Sequence, residues 1–508
     1  MNMAFSAIRT RGSSALALLL LMLVSAHAYA ASYAMQIIAP RAGMTTTNRY
    51  YKAYPGLDYN VQVSVVGGAY PYTFALTSAP SGMTVDANGV IDWPSPATGS
   101  TSVTVGVTDS NGTRSSVTWP ITVTTSGFGF VDAVNGKTAA QGGTGTIGNP
   151  WKTIADFYVT KYTTTYANWF IYFRAGTYNT NVAPIEDGTR LAVIPTQPLV
   201  WMGYPGETAV IDTTGSNVAF YGNTNNVYVD KLTIQNFTTH FGIAVSGDSN
   251  DVVIRRNIFQ NINPGWGGEG TNASGLFISR GGSMGTNYTV VGNTFQHVHD
   301  VGYGILGYFS TNVLVQGNTC TDFTTPDSKC IGPKEGTQRW FIRDNRINMA
   351  AGQGIWIDAS NTGTSQTQDI EVSYNLVQVA SGNTFLLGQA AVPYGAVTSF
   401  RNTWQGAPVE VDNLTSGGPV SFANDVMVTN TGLVYSATSV VSSLLLKSNL
   451  LSGTTATGIL DSSGNLTSSY TKYLGIDGYQ RVGSTSTGGG GGGTTAAIPD
   501  PPSGVTVQ

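Results

Sequence analysis

Leu232-Thr-Ile-Gln-Asn236-Phe, Val253-Ile-Arg-Arg-Asn257-Ile-Phe, Val290-Val-Gly-Asn293-Thr-Phe, Val313-Leu-Val-Gln-Gly-Asn318 and Phe341-Ile-Arg-Asp-Asn345-Arg-Ile repeat one pattern: an apolar alternation that runs into an asparagine. Weaker copies follow around Asn375, Asn402, Asn424 and Asn449. The spacing varies, from 21 residues (Asn236 to Asn257) to 36 (Asn257 to Asn293). Constant strands joined by variable loops, at a period in the twenties and thirties, mark a solenoid.

A second short strand lies between successive asparagines: Gly242-Ile-Ala-Val-Ser246, Gly275-Leu-Phe-Ile-Ser279, Gly304-Ile-Leu-Gly-Tyr308, Cys330-Ile-Gly-Pro-Lys334 and Gly354-Ile-Trp-Ile-Asp358. Two or three short strands per repeat, without helical periodicity, exclude helical repeats and leave a parallel β-helix. Nine coils about 4.8 Å apart would make a rod about 40 Å long. The recurring asparagine suits a turn that needs left-handed backbone, and its amide can bond the coils above and below. Its role is therefore read as structural.

Charged residues are only 10% of the chain, which suits a β-rich extracellular protein. Formal charge is −4 and no basic patch is evident, which argues against nucleic acid as partner. Residues 1–31 read as a secretory signal: Arg9 and Arg11 precede the apolar run Ala15–Val24, and Ala28-Tyr-Ala30 fits a small-residue cleavage site. That run is short for a membrane span and no second one follows, so the mature chain is expected to be secreted or at the cell surface. Cys320 and Cys330 are the only cysteines; in an exported chain they can form a disulfide, the alternative being two buried thiols.

Residues 32–126 form a separate all-β unit, with alternating runs such as Val61-Gln-Val-Ser-Val and Val103-Thr-Val-Gly-Val between turn clusters. The wording Gly68-Ala-Tyr-Pro71-Tyr-Thr-Phe-Ala-Leu76, Pro80-Ser-Gly-Met83 and Asn88-Gly-Val-Ile91-Asp-Trp-Pro94 resembles the immunoglobulin-like domains of bacterial surface proteins. The resemblance implies a spacer or binding module. Residues 127–482 are assigned to the β-helix. Their opening resembles the entry segment of secreted pectate-lyase-like, right-handed parallel β-helices, on Phe130-Val-Asp132, Asn149-Pro-Trp-Lys-Thr-Ile154, Ile171-Tyr-Phe-Arg-Ala-Gly-Thr-Tyr178 and Met202-Gly-Tyr-Pro-Gly-Glu207. A short helix from Ile154 to Tyr162, capped by Thr153, would close the rod's end. Residues 483–508 are a glycine-rich linker and tail.

In a β-helix the outward residues of stacked strands share one face. The last positions of the second-strand repeats give Ser246, Ser279, Tyr308, Lys334, Asp358, Gln389 and Asp412; the preceding outward row gives Ala244, Phe277, Leu306, Gly332 and Trp356. Aromatics set among polar groups suit an extended sugar chain, with Trp356 and Phe277 as platforms. Trp266 and Glu269, in the longest inter-repeat loop, offer a further platform and an acid or ligand, or are loop decoration. His297-Val-His-Asp300 contains a His beside an acid, a general-base pattern equally met in ordinary turns.

Ile331-Gly-Pro-Lys334-Glu-Gly, followed by Trp340-Phe-Ile-Arg-Asp-Asn345, resembles the lysine strand of alginate-lyase and chondroitinase-B-type β-helix enzymes. The resemblance implies that Lys334 removes the proton α to a uronate carboxylate. A cation must then stabilise the resulting anion: Arg280, Arg339 or Arg343, or a Ca²⁺ held by Asp300, Asp327 and Glu335. Arg339 is also a candidate sugar contact, and Tyr308 could protonate the leaving oxygen. Where that family's next coil has an Arg-His-Gly strand, this chain has Gly354-Ile-Trp-Ile-Asp-Ala359. The alternative for Lys334 is an exposed cross-strand ion pair with Asp358. The expected function is therefore a polysaccharide lyase acting on an acidic glycan. The rivals are a non-catalytic carbohydrate-binding surface protein, or a glycoside hydrolase using two of Asp300, Asp327, Asp358 and Glu269.

Overall fold

The computed structural model describes residues 33–452 apart from 42–43, 45–47, 157–169, 180–189, 194–199, 215–217, 223–224, 238–240, 246–248, 263–272, 279–283, 300–301, 359–366, 389–394, 412–419, 430–432, 436–443 and 448–449. The expected signal segment and the glycine-rich tail lie outside these residues.

Each complete turn of the rod contributes one strand to each of three long parallel sheets. The first sheet has 12 strands, from Phe128–Val131 to Leu444–Lys447; the second has 11, from Gly176–Asn179 to Leu450–Ser452; the third has 10, from Arg190–Val193 to Leu433–Tyr435. Neighbours within a sheet are always one turn apart in sequence, the signature of a right-handed parallel β-helix. One apolar core runs up the interior from Val131 and Trp151 to Phe422 and Met427.

The asparagine ladder is real, with two corrections of register. Asn257, Asn293, Asn318, Asn345, Asn375 and Asn402 stack at one corner, all buried. From Asn293 upward each accepts from the backbone N–H and amide of the residue below, as Asn345 does from Asn318 at 2.9 and 3.0 Å. Each also donates to a carbonyl of the preceding turn, as Asn345 does to Val315 at 3.0 Å. Asn236 is not a member: Leu232 occupies that corner and donates its N–H to Asn257, while Asn236 stacks under Asn261. Asn424 is displaced by one, and Asp425 takes the rung. Asn449 lies outside the described residues. The left-handed residue is also not the asparagine but the one before it: Arg256, Gly292, Gly317, Asp344, Tyr374, Arg401 and Asn424 all have φ between 51° and 64°. The ladder asparagine answers backbone groups that this sharp turn would otherwise leave buried and unbonded.

Cys320 and Cys330 form a disulfide that ties the second-sheet strand Thr319–Phe323 to the third-sheet strand Lys329–Pro333. A helix begins at Ile154, where Thr153 Oγ1 accepts from Asp156 N at 3.0 Å; residues beyond 156 lie outside the description. The N-terminal unit is a sandwich whose core includes Tyr59, Val61, Ile91, Val105, Trp119 and Ile121. It does not extend from the rod as a spacer would. It lies along the outer face of the first sheet, from Phe128, against Tyr54, to Asp369, which accepts from Tyr33 Oη at 2.6 Å.

Two outcomes follow from the ladder. Asn345→Ala strands the buried donors of Asn318 and should cost about 3 kcal/mol in chemical denaturation, whereas Asn236→Ala, off the ladder, should cost under about 1 kcal/mol. Burial pushes the Asp425 carboxyl from 3.8 up to about 7, against the opposing bonds from Ser399 and Asn402. The folded state therefore binds a proton that the unfolded chain has released, and stability should fall as pH rises from about 4 to about 7. Asp425→Asn keeps the rung without the charge and should flatten that slope in melts taken between pH 4 and pH 8.

Candidate functional site

The outward row of the third sheet is aligned as the repeat predicts. Ala244, Phe277, Leu306 and Gly332 are consecutive strand partners, and Trp356, Leu386 and Glu410 continue the row. Strict alternation fails just before it. Gly242, Gly275, Gly304 and Gly354 face inward beside the inward residues Ile243, Leu276, Ile305 and Ile355. A Cβ at Gly304 would meet the Phe295 ring at 3.2 Å and the Cys320 sulfur at 3.3 Å. Two adjacent inward positions, the first of them Gly304, Cys330, Gly354 or Thr384, return the residue before them to the outer face. Tyr303, Lys329, Gln353 and Asn383 thereby form a second outward row.

These rows meet in an aromatic cluster of Tyr303, Leu306, Tyr308 and Trp356, flanked by Phe277, Phe309 and Leu386. Tyr303 and Trp356 stack with centroids 6.0 Å apart, and the Tyr303 ring lies over Gly332, where any side chain would crowd it at 3.0 Å. Phe277 stacks on Phe241 at 3.9 Å and meets Tyr308 edge-on at 5.9 Å.

Two lysines sit on this bed. Lys334 Nζ lies 4.8 Å from the Trp356 centroid, 5.4 Å from that of Tyr308 and 3.4 Å from Asp358 Oδ2. The expected Lys334–Asp358 pair therefore exists, but it is not exposed: the side chains are 9% and 1% accessible. Thr367 Oγ1 bonds the carbonyls of both residues, fixing them from behind. Lys329 Nζ lies 5.0 Å from the Trp356 centroid and 5.4 Å from that of Tyr303, and it donates to the Asp327 carbonyl. Among the described residues Lys329 forms no ion pair with a carboxylate. Burial, reinforced by the charge of Lys334 and opposed by Asp327 and Asp358, pushes its ammonium down to about 8. Burial likewise holds the Tyr303 phenol well above its usual range. The Trp356 indole N–H is buried and has no acceptor among the described residues.

The structure thus brings Tyr308, Lys334, Trp356, Asp358 and Phe277 onto one wall. Arg280, Trp266, Glu269 and Asp300 lie outside the described residues. Arg339 and Arg343 are not on this wall: both belong to the first sheet, Arg339 beneath Tyr33 and Arg343 buried against Tyr72 and Glu371. His297 lies on the second sheet, exposed, 3.4 Å from Asp322. Asp327 is exposed and Glu335 buried, and the described residues contain no group of three acidic, His or Cys side chains fit for a metal. Lys329 and Tyr303 escape a strict alternation reading, because two adjacent inward residues follow each of them, Cys330-Ile331 and Gly304-Ile305, and shift the phase. The signal that could have found Tyr303 is the glycine that recurs at this inward position; in the Lys329 strand Cys330 takes the glycine's place.

Residues 42–124 match the family model described as "Putative Ig domain". Among curated proteins none matches the chain in sequence. Two solved structures are similar in fold. One is the catalytic domain of a GH87 alpha-1,3-glucanase in complex with nigerose, 10% identical, TM-score 0.32, covering 77% of this chain and 85% of the other. The second is a Yersinia enterocolitica family 28 exopolygalacturonase, 9% identical, TM-score 0.34, covering 78% and 90%.

A lysine whose ammonium titrates near 8 should stand out chemically. Under limiting amine-acylating reagent at pH 8, peptide mapping should find Lys329 modified well before the buried, ion-paired Lys334.

Proposed function

We propose that this chain is an exported polysaccharide-active protein that works on an acidic glycan along the outer face of the third sheet. The observation that carries the reading is the convergence of donors on one ring: the ammonium groups of Lys329 and Lys334 about Trp356, and that ring's own indole N–H, which has no acceptor among the described residues. Asp358 offsets one positive charge, and the other has no carboxylate among the described residues. A sugar carboxylate supplies the missing acceptor, and the neighbouring aromatics give pyranose faces a surface.

The reaction that suits these groups is β-elimination on a uronate residue. Lys329, neutral in about a tenth of molecules at pH 7, takes the proton α to the carboxylate. Lys334, held by Asp358, faces the negative charge that develops on the carboxylate. The electron pair left on carbon forms the new double bond, the bond to the glycosidic oxygen breaks, and that oxygen takes a proton from Tyr308 or solvent. The base is thus moved from Lys334 to Lys329, because Lys334 is committed to a buried ion pair.

Incubation with alginate, pectate and glycosaminoglycans tests this. A rise in ultraviolet absorbance from an unsaturated sugar is expected with one of them, with a rate that climbs with pH towards 8 as Lys329 deprotonates. Lys329→Ala should lower that rate about 10²- to 10⁴-fold without changing the melting temperature appreciably. New reducing ends without the absorbance would replace the lyase by a hydrolase. Binding that Lys329→Ala weakens, without cleavage, would make this a recognition face only.

A further inference from the structure

We propose that the immunoglobulin-like unit is an intramolecular clamp that makes the sandwich and the rod a single cooperative folding unit. The outer face of the first sheet is apolar where the sandwich lies. Phe128, Phe130, Phe170, Tyr172, Val200, Met202, Tyr228 and Val253 share a buried cluster with the sandwich core. Val291, Leu314 and Phe341 continue the strip beneath Ile38, Val66 and Tyr33. Their chain neighbours Ile171, Phe173, Trp201, Val229 and Ile254 face the other way, into the rod. Bared, this strip would be a hydrophobic surface running most of the rod's length, far beyond what a soluble monomer normally exposes.

Two buried arginines on the rod also depend on the sandwich. Arg255 pairs with Asp230 at 3.6 Å and donates to the carbonyl and side-chain oxygens of Asn60, both at 2.8 Å. Arg343 pairs with Glu371 at 2.7 Å, bonds the Tyr72 hydroxyl and lies 4.9 Å from the Tyr70 ring centroid. Without the sandwich, part of each guanidinium would lose its partners. Closer to the surface, Arg41 forks onto Asp251 with two bonds of 2.8 Å.

The reach of the contact gives it its effect. In a solenoid each turn touches only its neighbours, so ends can fray independently. Here one rigid body touches the first sheet from strand Phe128–Val131 to strand Gln368–Ser373, nine of its 12 strands in order. Turns that share no direct contact are tied through it. The connection between the units is only residues 124–127, so the local concentration of one for the other is high.

A protease site inserted between Thr125 and Ser126 of the full chain tests the clamp. After cutting under native conditions the two fragments should co-elute in gel filtration, and the uncut protein should unfold in one transition by both tryptophan fluorescence and far-ultraviolet circular dichroism. Tyr70→Ala with Tyr72→Ala, which removes sandwich groups bonded to Asp344 and Arg343, should weaken the association of the cut fragments at least about tenfold. Fragments that separate on cutting would overturn the proposal. So would a first transition in which the sandwich melts off an unchanged rod, or an affinity that the double substitution leaves unaltered.

Discussion

The rod depends on answering buried backbone amides at its corners. Three short strands per turn force the chain round sharply, and the turn from the first sheet to the second uses a left-handed residue such as Asp344 or Tyr374. The next amide then points into the corner, away from water. A side chain carrying both a donor and an acceptor, one rung above and one below, satisfies each such group in turn. Asparagine fits because its amide reaches the neighbouring rung and the preceding turn's carbonyl together, as the bonds of Asn345 to Asn375 and Val315 illustrate. The ladder therefore fixes the register of the turns, and with it which side chains lie above one another elsewhere.

Register alone decides the outer faces, and each has a different character. On the second sheet Gln235, Gln260 and Gln296 bond one another in a row, down to Asp212, a polar arrangement at ease beside water. On the first sheet the outward residues are mostly apolar and aromatic, with the ion pairs Arg255–Asp230 and Arg343–Glu371 among them, and a second domain covers them. On the third they mix aromatics with two lysines and an acid. Structural economy gives no reason to place Lys329 half-buried over Tyr303 and Trp356 without a carboxylate partner. That cost in desolvation is what the proposed role of this face would explain.

Much of this was legible in the chain. The asparagine spacing reveals a solenoid, and the second-strand repeats alone put Tyr308, Lys334, Trp356 and Asp358 on one wall. What failed did so for identifiable reasons. Asn236 and Asn424 resemble rungs because asparagine also suits left-handed turn positions, and both adopt positive φ at 66° and 55°. Lys329 escaped because two adjacent inward residues, Cys330 and Ile331, break the alternation, Cys330 turning inward to reach Cys320 as Gly304 turns inward under Phe295. Arg339 and Arg343 follow the lysine strand closely in sequence, yet one corner of the rod turns them onto a different sheet.

The position of the immunoglobulin-like unit was the least legible feature, although its trace is present. Phe170-Ile-Tyr-Phe173 and Val200-Trp-Met-Gly203 are apolar at successive positions, not at alternate ones. In a solenoid whose sheet faced water, every second residue should be polar, as on the second sheet. A run without that alternation therefore announces a cover, and only the other domain of this chain is available at that surface in the structure. Sequence patterning can show that a face is covered; it cannot name what covers it, because the complementary residues Asn60, Tyr70 and Tyr72 are nearly 200 or more positions away and carry no periodic signature of their own. The contrast between the outward rows is thus the more general guide: alternating polar residues mark solvent, and unbroken apolar ones mark a docked partner.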